Sequence, residues 1–261
     1  MLFYSIPTMT EVEKGAVPSL LKQFPSGHET MVTDVLLLDV DKWMVVVTAT
    51  CGSSDTSIRF HNPKGELLSV MDTNQMMNNT VTASPDNRFL AVGASLPEVK
   101  VLEVTRSKTG EFQQVSRAMT LAGHKKPVAG VAFNKDATRV VTASADASWR
   151  VWDTSVRYNL DEEPRGLEEH ISTDLHNNSY SGLALGLNGS VVALSCKRHL
   201  FFHAVGIRGE WSGRQVESVG VAHGSKGTNI LRMEASKDGK LLVTVAEGDK
   251  YVRLWSFPHA D

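Results

Sequence analysis

The feature of this chain that most restricts its fold is an internal repeat, which is clearest between Gly123 and Asp153. That segment begins with Gly123-His124 and continues with three short apolar runs, separated first by a polar turn and then by a tight turn containing Asp146. The last run ends at Trp152-Asp153. Small and β-branched residues fill the runs and Asn, Asp and Lys fill the turns, a pattern that predicts consecutive antiparallel strands.

Weaker copies of this unit flank it on both sides. The C-terminal copy carries His223, Asp249 and Trp255, with the same spacing from Asp to Trp as in the clear copy. An upstream copy starts at Gly27-His28 and has His61 in the place of the Trp. Two further copies, at 81–102 and 182–203, lack the marker residues.

These five units predict an all-β protein, a β-propeller of about five four-stranded blades that occupies residues 18–261 behind an N-terminal extension, 1–17. No long amphipathic helical segment competes with this interpretation. The last unit ends after its third strand, and residues 19–24 stand where a fourth strand belongs. We therefore expect residues 19–24 to complete the last blade and clasp the ring, although the sequence is also compatible with an incomplete propeller.

The Gly-His, Asp and Trp-Asp markers resemble those of the WD-repeat family, whose members are adaptors and assembly platforms. The resemblance implies a buried network in the clear copy, formed by His124, Ser144 (or Thr142), Asp146 and Trp152. A catalytic triad is the competing interpretation of these residue types. We favour the structural one, because the sequence supplies neither an open cleft nor oxyanion donors.

The last copy keeps only part of this network. It has His223, Asp249 and Trp255, but Val245 and Glu247 stand where hydroxyls are expected. We expect the other three blades to depend on packing.

A basic residue recurs two positions before the Trp slot, at Arg59, Lys100, Arg150 and Arg253. Period-two geometry places it on the same face as the Trp. One interpretation is a ring of positive charge that binds a partner. The favoured one is that each stem covers the neighbouring aromatic ring.

Several kinds of site are disfavoured by composition and spacing. A net charge of −2 gives no basic footprint for direct nucleic-acid binding. The two cysteines, Cys51 and Cys196, have no C-x-x-C partner, the histidines do not group at metal spacings, and no phosphate-binding glycine loop is present. We expect no cofactor, no metal and no enzymatic activity, and the chain as given reads as cytoplasmic without a membrane span.

Some motifs point to one branch of the WD-repeat family. They include a Thr-Asn-Gln-Met run at 73–76, a Gly-Glu-Phe-Gln run at 110–113 and the stretch Ser148-Trp149-Arg150. Members of that branch have an N-terminal anchor in the endoplasmic reticulum membrane and more repeats than the five visible here. Resemblance implies protein partners, among them the stress-sensing kinase of the unfolded protein response and ribosome-associated factors in translational control.

Two other functions remain as alternatives. A substrate adaptor of a cullin-type ubiquitin ligase often carries Trp-Asp-x-Arg, whereas this chain has Arg only at Arg157. An enzyme with a central metal would need carboxylates and histidines on the first strands, but Val128–Phe133, 183–185 and 230–233 are largely apolar.

Overall fold

A computed structural model describes residues 2–5, 10, 14–15, 17, 19–40, 43–50, 52, 54–172, 179–205, 215–219, 223 and 228–258. These residues form 21 β-strands and two short 3-10 helices, Tyr158–Leu160 and Leu187–Gly189. Within the described ranges, no helix has the length and apolar character needed to cross a membrane.

Nineteen of the strands form five antiparallel blades, each a meander of neighbouring strands. Blade 1 contains β3 (Val32–Val40), β4 (Trp43–Thr50), β5 (Ser57–His61) and β6 (Leu67–Asp72). Blade 2 contains β7 (Asn78–Ala83), β8 (Phe89–Ala94), β9 (Glu98–Arg106) and β10 (Phe112–Ala122). Blade 3 contains β11 (Val128–Phe133), β12 (Arg139–Ser144), β13 (Ser148–Asp153) and β14 (Arg165–Ile171).

Blade 4 contains β15 (Gly182–Gly186), β16 (Val191–Cys196), β17 (His199–Ala204) and β18 (Gln215–Val219). Among the described residues, blade 5 contains three strands, β19 (Ile230–Ala235), β20 (Leu241–Ala246) and β21 (Arg253–Ser256). The first strands of consecutive blades contact one another from β3 to β19 and surround a central channel. The prediction of an all-β propeller with five blades is confirmed.

The turn between the first and second strands repeats across the blades. In blades 2, 3 and 5 its third residue is Asp86, Asp136 or Asp238, whose carboxylate accepts the amide two residues ahead. The following residue lies in the left-handed region, with φ of 69° at Gly239 and 57° at Ala137. The polar turn that the sequence repeats is therefore a hydrogen-bonded turn that sets the register of these two strands.

Hydrophobic clusters fill the spaces between consecutive blades. On β12, Val140 packs towards blade 2 while Val141 packs towards blade 4, because successive side chains point to opposite faces of a strand. Such a strand is buried on both faces, which explains its continuous apolar sequence. Among the described residues, clusters of this kind join blades 1–2, 2–3, 3–4 and 4–5.

Blades 5 and 1 meet through polar contacts. A guanidinium nitrogen of Arg232 on β19 donates to the carbonyl of Thr33 on β3 at 2.9 Å and lies 3.5 Å from the Asp34 carboxylate. Asp34 in turn accepts the amide of Val81 in blade 2 at 3.1 Å. These contacts connect the fifth blade to the first and extend to the second.

The prediction that residues 19–24 complete the last blade is wrong. The strand β2 (Ser19–Gln23) pairs antiparallel with β1 (Leu2–Ser5) and not with β21. All five residues of β2 are exposed, so the segment does not cover blade 5. Pairing with a segment close in sequence costs less loop-closure entropy than pairing with the far end of the chain.

Candidate functional site

The network in blade 3 is centred on the hydroxyl of Thr142. The indole N–H of Trp152 donates to Thr142 Oγ1 at 2.9 Å, and Thr142 Oγ1 lies 2.7 Å from Nε2 of His124. Because the hydroxyl accepts a hydrogen bond from the indole N–H, it donates its own O–H to Nε2 of His124, and the N–H of His124 is therefore on Nδ1. That N–H faces Ser148 Oγ at 3.0 Å and Asp146 Oδ2 at 3.3 Å.

Asp146 anchors the other end of this network. It accepts the hydroxyl of Ser148 at 2.6 Å and the backbone amides of Ser148 and Lys125 at 2.9 and 2.7 Å. Burial alone would raise the pKa of Asp146, but these hydrogen bonds and His124 lower it to about 2. Burial lowers the pKa of His124, an effect that the Asp146 charge partly opposes. At neutral pH the pair is therefore a carboxylate beside a neutral imidazole.

Ser144 is not the bridging hydroxyl, which corrects the first of the two positions considered from the sequence. Its Oγ donates to the carbonyl of Lys126 at 2.9 Å and accepts the amide of Asp146 at 3.1 Å. In the register of the sheet, Thr142 pairs with Arg150 and lies beside the Val140–Trp152 pair, whereas Ser144 lies at the turn. Ser144 lies two residues beyond Thr142 along β12, so its hydroxyl is too far from the indole to bridge it to the imidazole.

Blade 5 contains a complete network, contrary to the expectation that it lacks a hydroxyl. Thr244 Oγ1 lies 2.7 Å from Nε2 of His223 and accepts the indole N–H of Trp255 at 2.8 Å. Asp249 Oδ2 lies 3.0 Å from His223 Nδ1. In blade 3 the bridging hydroxyl lies four residues before the Asp, and the same count back from Asp249 gives Val245. The turn of blade 5 is one residue longer, so the hydroxyl lies one residue earlier. The Val-Thr pair shared by the second strands was the signal that would have identified Thr244.

Blade 1 does not depend on packing alone. His28 Nδ1 lies 2.9 Å from Asp55 Oδ2, and His28 Nε2 lies 3.0 Å from Thr48 Oγ1. The pKa of Asp55 is held well below its usual range because hydrogen bonds from Ser57 and His28 outweigh the effect of burial. His61 occupies the Trp slot opposite Val46 and is buried.

Blade 2 replaces the histidine with amides. Gln75 is fully buried, and its amide donates to the carbonyl of Glu98 at 3.2 Å. The hydroxyl of Thr73 lies 3.0 Å from the side-chain oxygen of Asn78 and also donates to the carbonyl of Thr56. Thr73 and Gln75 of the Thr-Asn-Gln-Met run that pointed to one branch of the family are therefore buried polar residues of this blade, whereas Asn74 and Met76 are exposed.

These networks leave little room for chemistry on a substrate. Thr142, Thr244 and Thr48 have no exposed surface, and each hydroxyl is already engaged by its histidine. A nucleophilic hydroxyl would need an open cleft and a free approach to a carbonyl carbon. The described part of the chain also contains no group of three or more His, Cys, Asp or Glu side chains placed to hold a metal ion.

At two of the four recurrent basic positions, the side chain forms an ion pair with a nearby glutamate. Arg150 pairs with Glu169 on the neighbouring strand, and its guanidinium carbon lies 5.9 Å from the centre of the Trp152 ring. Lys100 pairs with Glu98 at 2.7 Å.

The other two positions differ from this pattern. Arg253 pairs with Asp249 and lies over Tyr251, at 5.9 Å, rather than over the Trp of its blade. Arg59 lies against Gly27, where an added Cβ would be 2.5 Å from its guanidinium. The four side chains therefore occupy equivalent positions but do not combine into one free patch of charge.

The central channel has a volume of about 750 Å³. Its wall includes Asp34, Arg232 and Glu234, so the first strands are less apolar than the sequence interpretation assumed. Burial raises the pKa of Asp34, and burial together with the Asp34 charge raises the pKa of Glu234. The sequence does show these charged residues inside the first strands, but their apolar neighbours led to the prediction that the strands are largely apolar.

Of the two cysteines, the structure describes Cys196. Cys196 is buried, and burial raises the pKa of its thiol, so the thiol stays protonated at neutral pH. Cys51 lies outside the described residues.

Comparisons with known proteins agree with this architecture. Residues 116–153 and 216–256 match the WD40 family, the WD domain or G-beta repeat. The chain is 34% identical to transducin beta-like protein 2 of Homo sapiens over 234 residues, which cover 90% of this chain and 49% of the human protein. It is 39% identical to the Mus musculus protein of that name over 143 residues, which cover 55% of this chain and 31% of that protein.

A lower identity of 27% over 158 residues relates the chain to the SAGA complex/transcription factor TFIID complex subunit Taf5 of Schizosaccharomyces pombe, covering 55% of this chain and 25% of that subunit. The chain spans about half the length of the human relative. This chain is therefore a WD-repeat protein that resembles transducin beta-like protein 2 over most of its length.

Proposed function

We propose that this chain is a non-catalytic scaffold that binds other proteins. The observation that carries the proposal is the use of the His, Thr and Asp side chains: in blade 3 the hydroxyl of Thr142 is fully buried between His124 and Trp152. The residue types of a hydrolase are present, but they satisfy one another inside a blade. We infer that the exposed faces of the blades are used to dock partner proteins.

The specific role we propose is in stress signalling from the endoplasmic reticulum. It is supported by the resemblance to transducin beta-like protein 2, which covers 90% of this chain. Under this proposal the partners are the stress-sensing kinase of the unfolded protein response and ribosome-associated factors in translational control. The protein would act in the cytoplasm, or at the endoplasmic reticulum membrane if an N-terminal anchor belongs to it.

Affinity capture with the intact protein tests this role. We expect the stress kinase or a ribosomal component to be recovered, and recovery of neither would contradict the proposed role in stress signalling.

Lys100→Gln and Arg59→Gln in the captured protein test whether the basic positions contact a partner. If both variants recover the partner as well as the wild type does, these side chains contribute to the blades and do not contact the partner.

No described contact favours the ubiquitin-ligase adaptor. The basic residue nearest to the required position, Arg157, is engaged locally, because its backbone amide donates to Glu162 at 3.1 Å and its guanidinium pairs with the same carboxylate at 3.4 Å. We therefore retain the general scaffold and the stress-signalling role.

A further inference from the structure

Exposed methionines collect at one end of blades 1 and 2. Met76 and Met77 lie between β6 and β7, and Met31 lies just before β3. Met31 and Met76 are exposed by 75 and 57%. Thr33, two residues after Met31, donates its hydroxyl to the carbonyl of Asn78, the residue that follows Met77. The methionines therefore lie on neighbouring connections at the same end of the blades.

Leu96 extends this apolar surface to the next turn of blade 2. It lies in the turn between β8 and β9 and is partly exposed. The amide of Ser95 donates to the carbonyl of Met76 at 3.1 Å, which attaches this turn to the methionine loop. We call Met31, Met76, Met77 and Leu96 the methionine patch. Unbranched, polarizable methionine side chains adapt to apolar partners of different shape, so the patch has the chemistry of a binding surface.

The backbone under the patch is fixed before a partner binds. Asn74 and Met77 both lie in the left-handed region, with φ of 53° and 56°. Thr73 and Gln75, on either side of Asn74, are buried and hydrogen-bonded within blade 2. Strained positions of this kind persist where the surrounding structure holds them, and they cluster at ligand-binding loops. The exposed methionines are therefore presented on a preorganised loop, which reduces the entropy lost on binding.

Positive charge borders the patch on the side of blade 3. Leu96 precedes Glu98 by two residues, and Glu98 pairs in the sheet with Ala122, three residues before Lys125. Lys125 and Lys126 therefore lie at the same end of the blades as Leu96. Both lysine side chains are exposed and form no ion pair among the described residues, whereas Glu98 already pairs with a lysine of its own strand. The unpaired charge beside Leu96 is thus positive and favours an acidic partner.

The form of partner that suits this surface is an amphipathic helix. Backbone groups of the exposed turns are already used, since the carbonyl of Met76 accepts the Ser95 amide and the amide of Lys125 donates to Asp146. These turns therefore offer no row of free backbone groups to an extended strand. A helix satisfies its own backbone hydrogen bonds and binds through apolar side chains spaced at i, i+3 and i+4.

We propose that the methionine patch binds a short amphipathic helix of a partner protein, with apolar side chains against the methionines and carboxylates beside Lys125 and Lys126. The acidic end of the helix lies over blade 3, away from the exposed Glu29 beside Met31. This inference rests on the proposed scaffold role and names its docking surface. Blade 2, which carries most of the patch, packs against a blade on each side.

Binding of a labelled helical peptide to the intact chain tests the proposal. The probe is a designed helix of about four turns, with leucines along one face and glutamates in its first two turns. One control peptide has lysines in place of the glutamates, and a second has the same composition with the leucines distributed around all faces. We expect saturable binding of the probe by fluorescence anisotropy, and binding about tenfold weaker for each control. No saturable binding of the probe, or equal binding of either control, would overturn the proposal.

Two matched variants of the protein locate the peptide. Met76→Asp places a carboxylate within the patch at an exposed position, so we expect about tenfold weaker peptide binding at an unchanged melting temperature. Leu160→Asp is the control, because Leu160 is 65% exposed and follows the third strand of blade 3, at the opposite end of the blades. Equal peptide affinity of the two variants would overturn the proposal.

A charge variant tests the border of the patch separately. Lys126→Glu leaves one charge of each sign beside Leu96, so the preference for the glutamate peptide over the lysine peptide should disappear. Because the Lys126 side chain is exposed, this variant should keep the melting temperature of the wild type. A preference that survives in Lys126→Glu would overturn the assignment of the acidic end.

Two further measurements test other occupants of the patch. Phosphatidylserine vesicles that bind the chain and displace the peptide would replace the helix by a membrane surface and overturn the proposal. A dimer in sedimentation that Met76→Asp dissociates would replace the partner by a second copy and overturn it equally.

Affinity capture separates this inference from the scaffold role. Loss of a captured partner in Met76→Asp, but not in Leu160→Asp, would support the methionine patch. Equal capture by both variants would reject the patch and leave the scaffold role standing. Peptide binding without any captured partner would support the patch and count against the scaffold role.

Discussion

At the scale of single residues, one buried threonine per network decides how a blade satisfies its polar groups. Thr142 and Thr244 each join an imidazole to an indole, and Thr48 joins an imidazole alone. The sequence identified the histidine, aspartate and tryptophan of blades 3 and 5, because these are rare residues at fixed spacing. It did not single out the threonine, because hydroxyl residues are common in strands and a one-residue change in turn length shifts the count.

Removal of the Thr142 hydroxyl tests this assignment. Thr142→Val keeps the shape but leaves the indole N–H of Trp152 and Nε2 of His124 without their shared partner. We expect a loss of about 1–3 kcal/mol in the free energy of unfolding, the cost of leaving a buried polar group unsatisfied. Ser144→Ala, measured by the same urea denaturation, is the control and should cost less. A larger loss for Ser144→Ala would make Ser144 the more important hydroxyl.

Loss of the aspartate that anchors the network should lower the free energy of unfolding more than loss of a surface aspartate with similar local hydrogen bonds. Asp146→Ala breaks contacts with His124, Ser148 and the Lys125 amide, and we expect it to lower the free energy of unfolding by about 2–4 kcal/mol. Asp136→Ala removes a similar pair of bonds, to Thr138, from an exposed turn and should have a small effect. A melting temperature unchanged by Asp146→Ala would refute the structural role.

At the scale of elements, strand positions were predictable and strand partners were only partly so. Within a blade, a short polar turn fixes which strands are neighbours, so the order β11–β12–β13 follows from sequence distance alone. The partner of residues 19–24 was not fixed in this way, because it depends on competition between a segment close in sequence and a distant edge. The structure resolves that competition in favour of β1.

The junction between blades 3 and 4 should make the protein sensitive to mild acid. His203 is 4% exposed, and its ring centre lies 5.6 Å from that of Trp149 and 5.2 Å from that of His170. Burial and the neighbouring His170 lower the pKa of His203 to about 4. The unfolded chain therefore takes up a proton below pH ~6.5 while the folded chain does not, so stability is lost as pH falls from ~6.5 towards ~4 and is constant with respect to this group above ~6.5.

Urea denaturation at pH 7.5 and 5 measures this contribution. We expect His203 alone to account for about 2 kcal/mol of lost unfolding free energy between the two pH values, by linkage. In His203→Phe this part of the pH dependence should disappear, although other buried histidines will add their own. A variant that loses as much stability as the wild type between pH 7.5 and 5 would show that His203 titrates normally in the fold.

At the scale of the whole molecule, the five blades form a ring whose junctions are unequal. Hydrophobic clusters join four successive pairs of blades, whereas the described contact of blade 5 with blade 1 runs through Arg232, Thr33 and Asp34. The repeat predicted the number of units, since each copy is a separate strand pattern. It could not show how the first and last units meet, because that contact depends on two charged side chains inside strands that otherwise read as apolar.

The central claim is that these five blades close around one channel, and a distance measured across the last junction tests it most directly. Leu231 on β19 and Val35 on β3 are 57 and 51% exposed and lie next to the contact between Arg232 and Thr33, so both positions can carry spin labels once Cys51 and Cys196 are replaced. Pulsed electron paramagnetic resonance should then give a single narrow distribution at the short end of the measurable range. A broad or long distribution, unchanged by Arg232→Ala, would show that blade 5 does not meet blade 1 and that the ring is open.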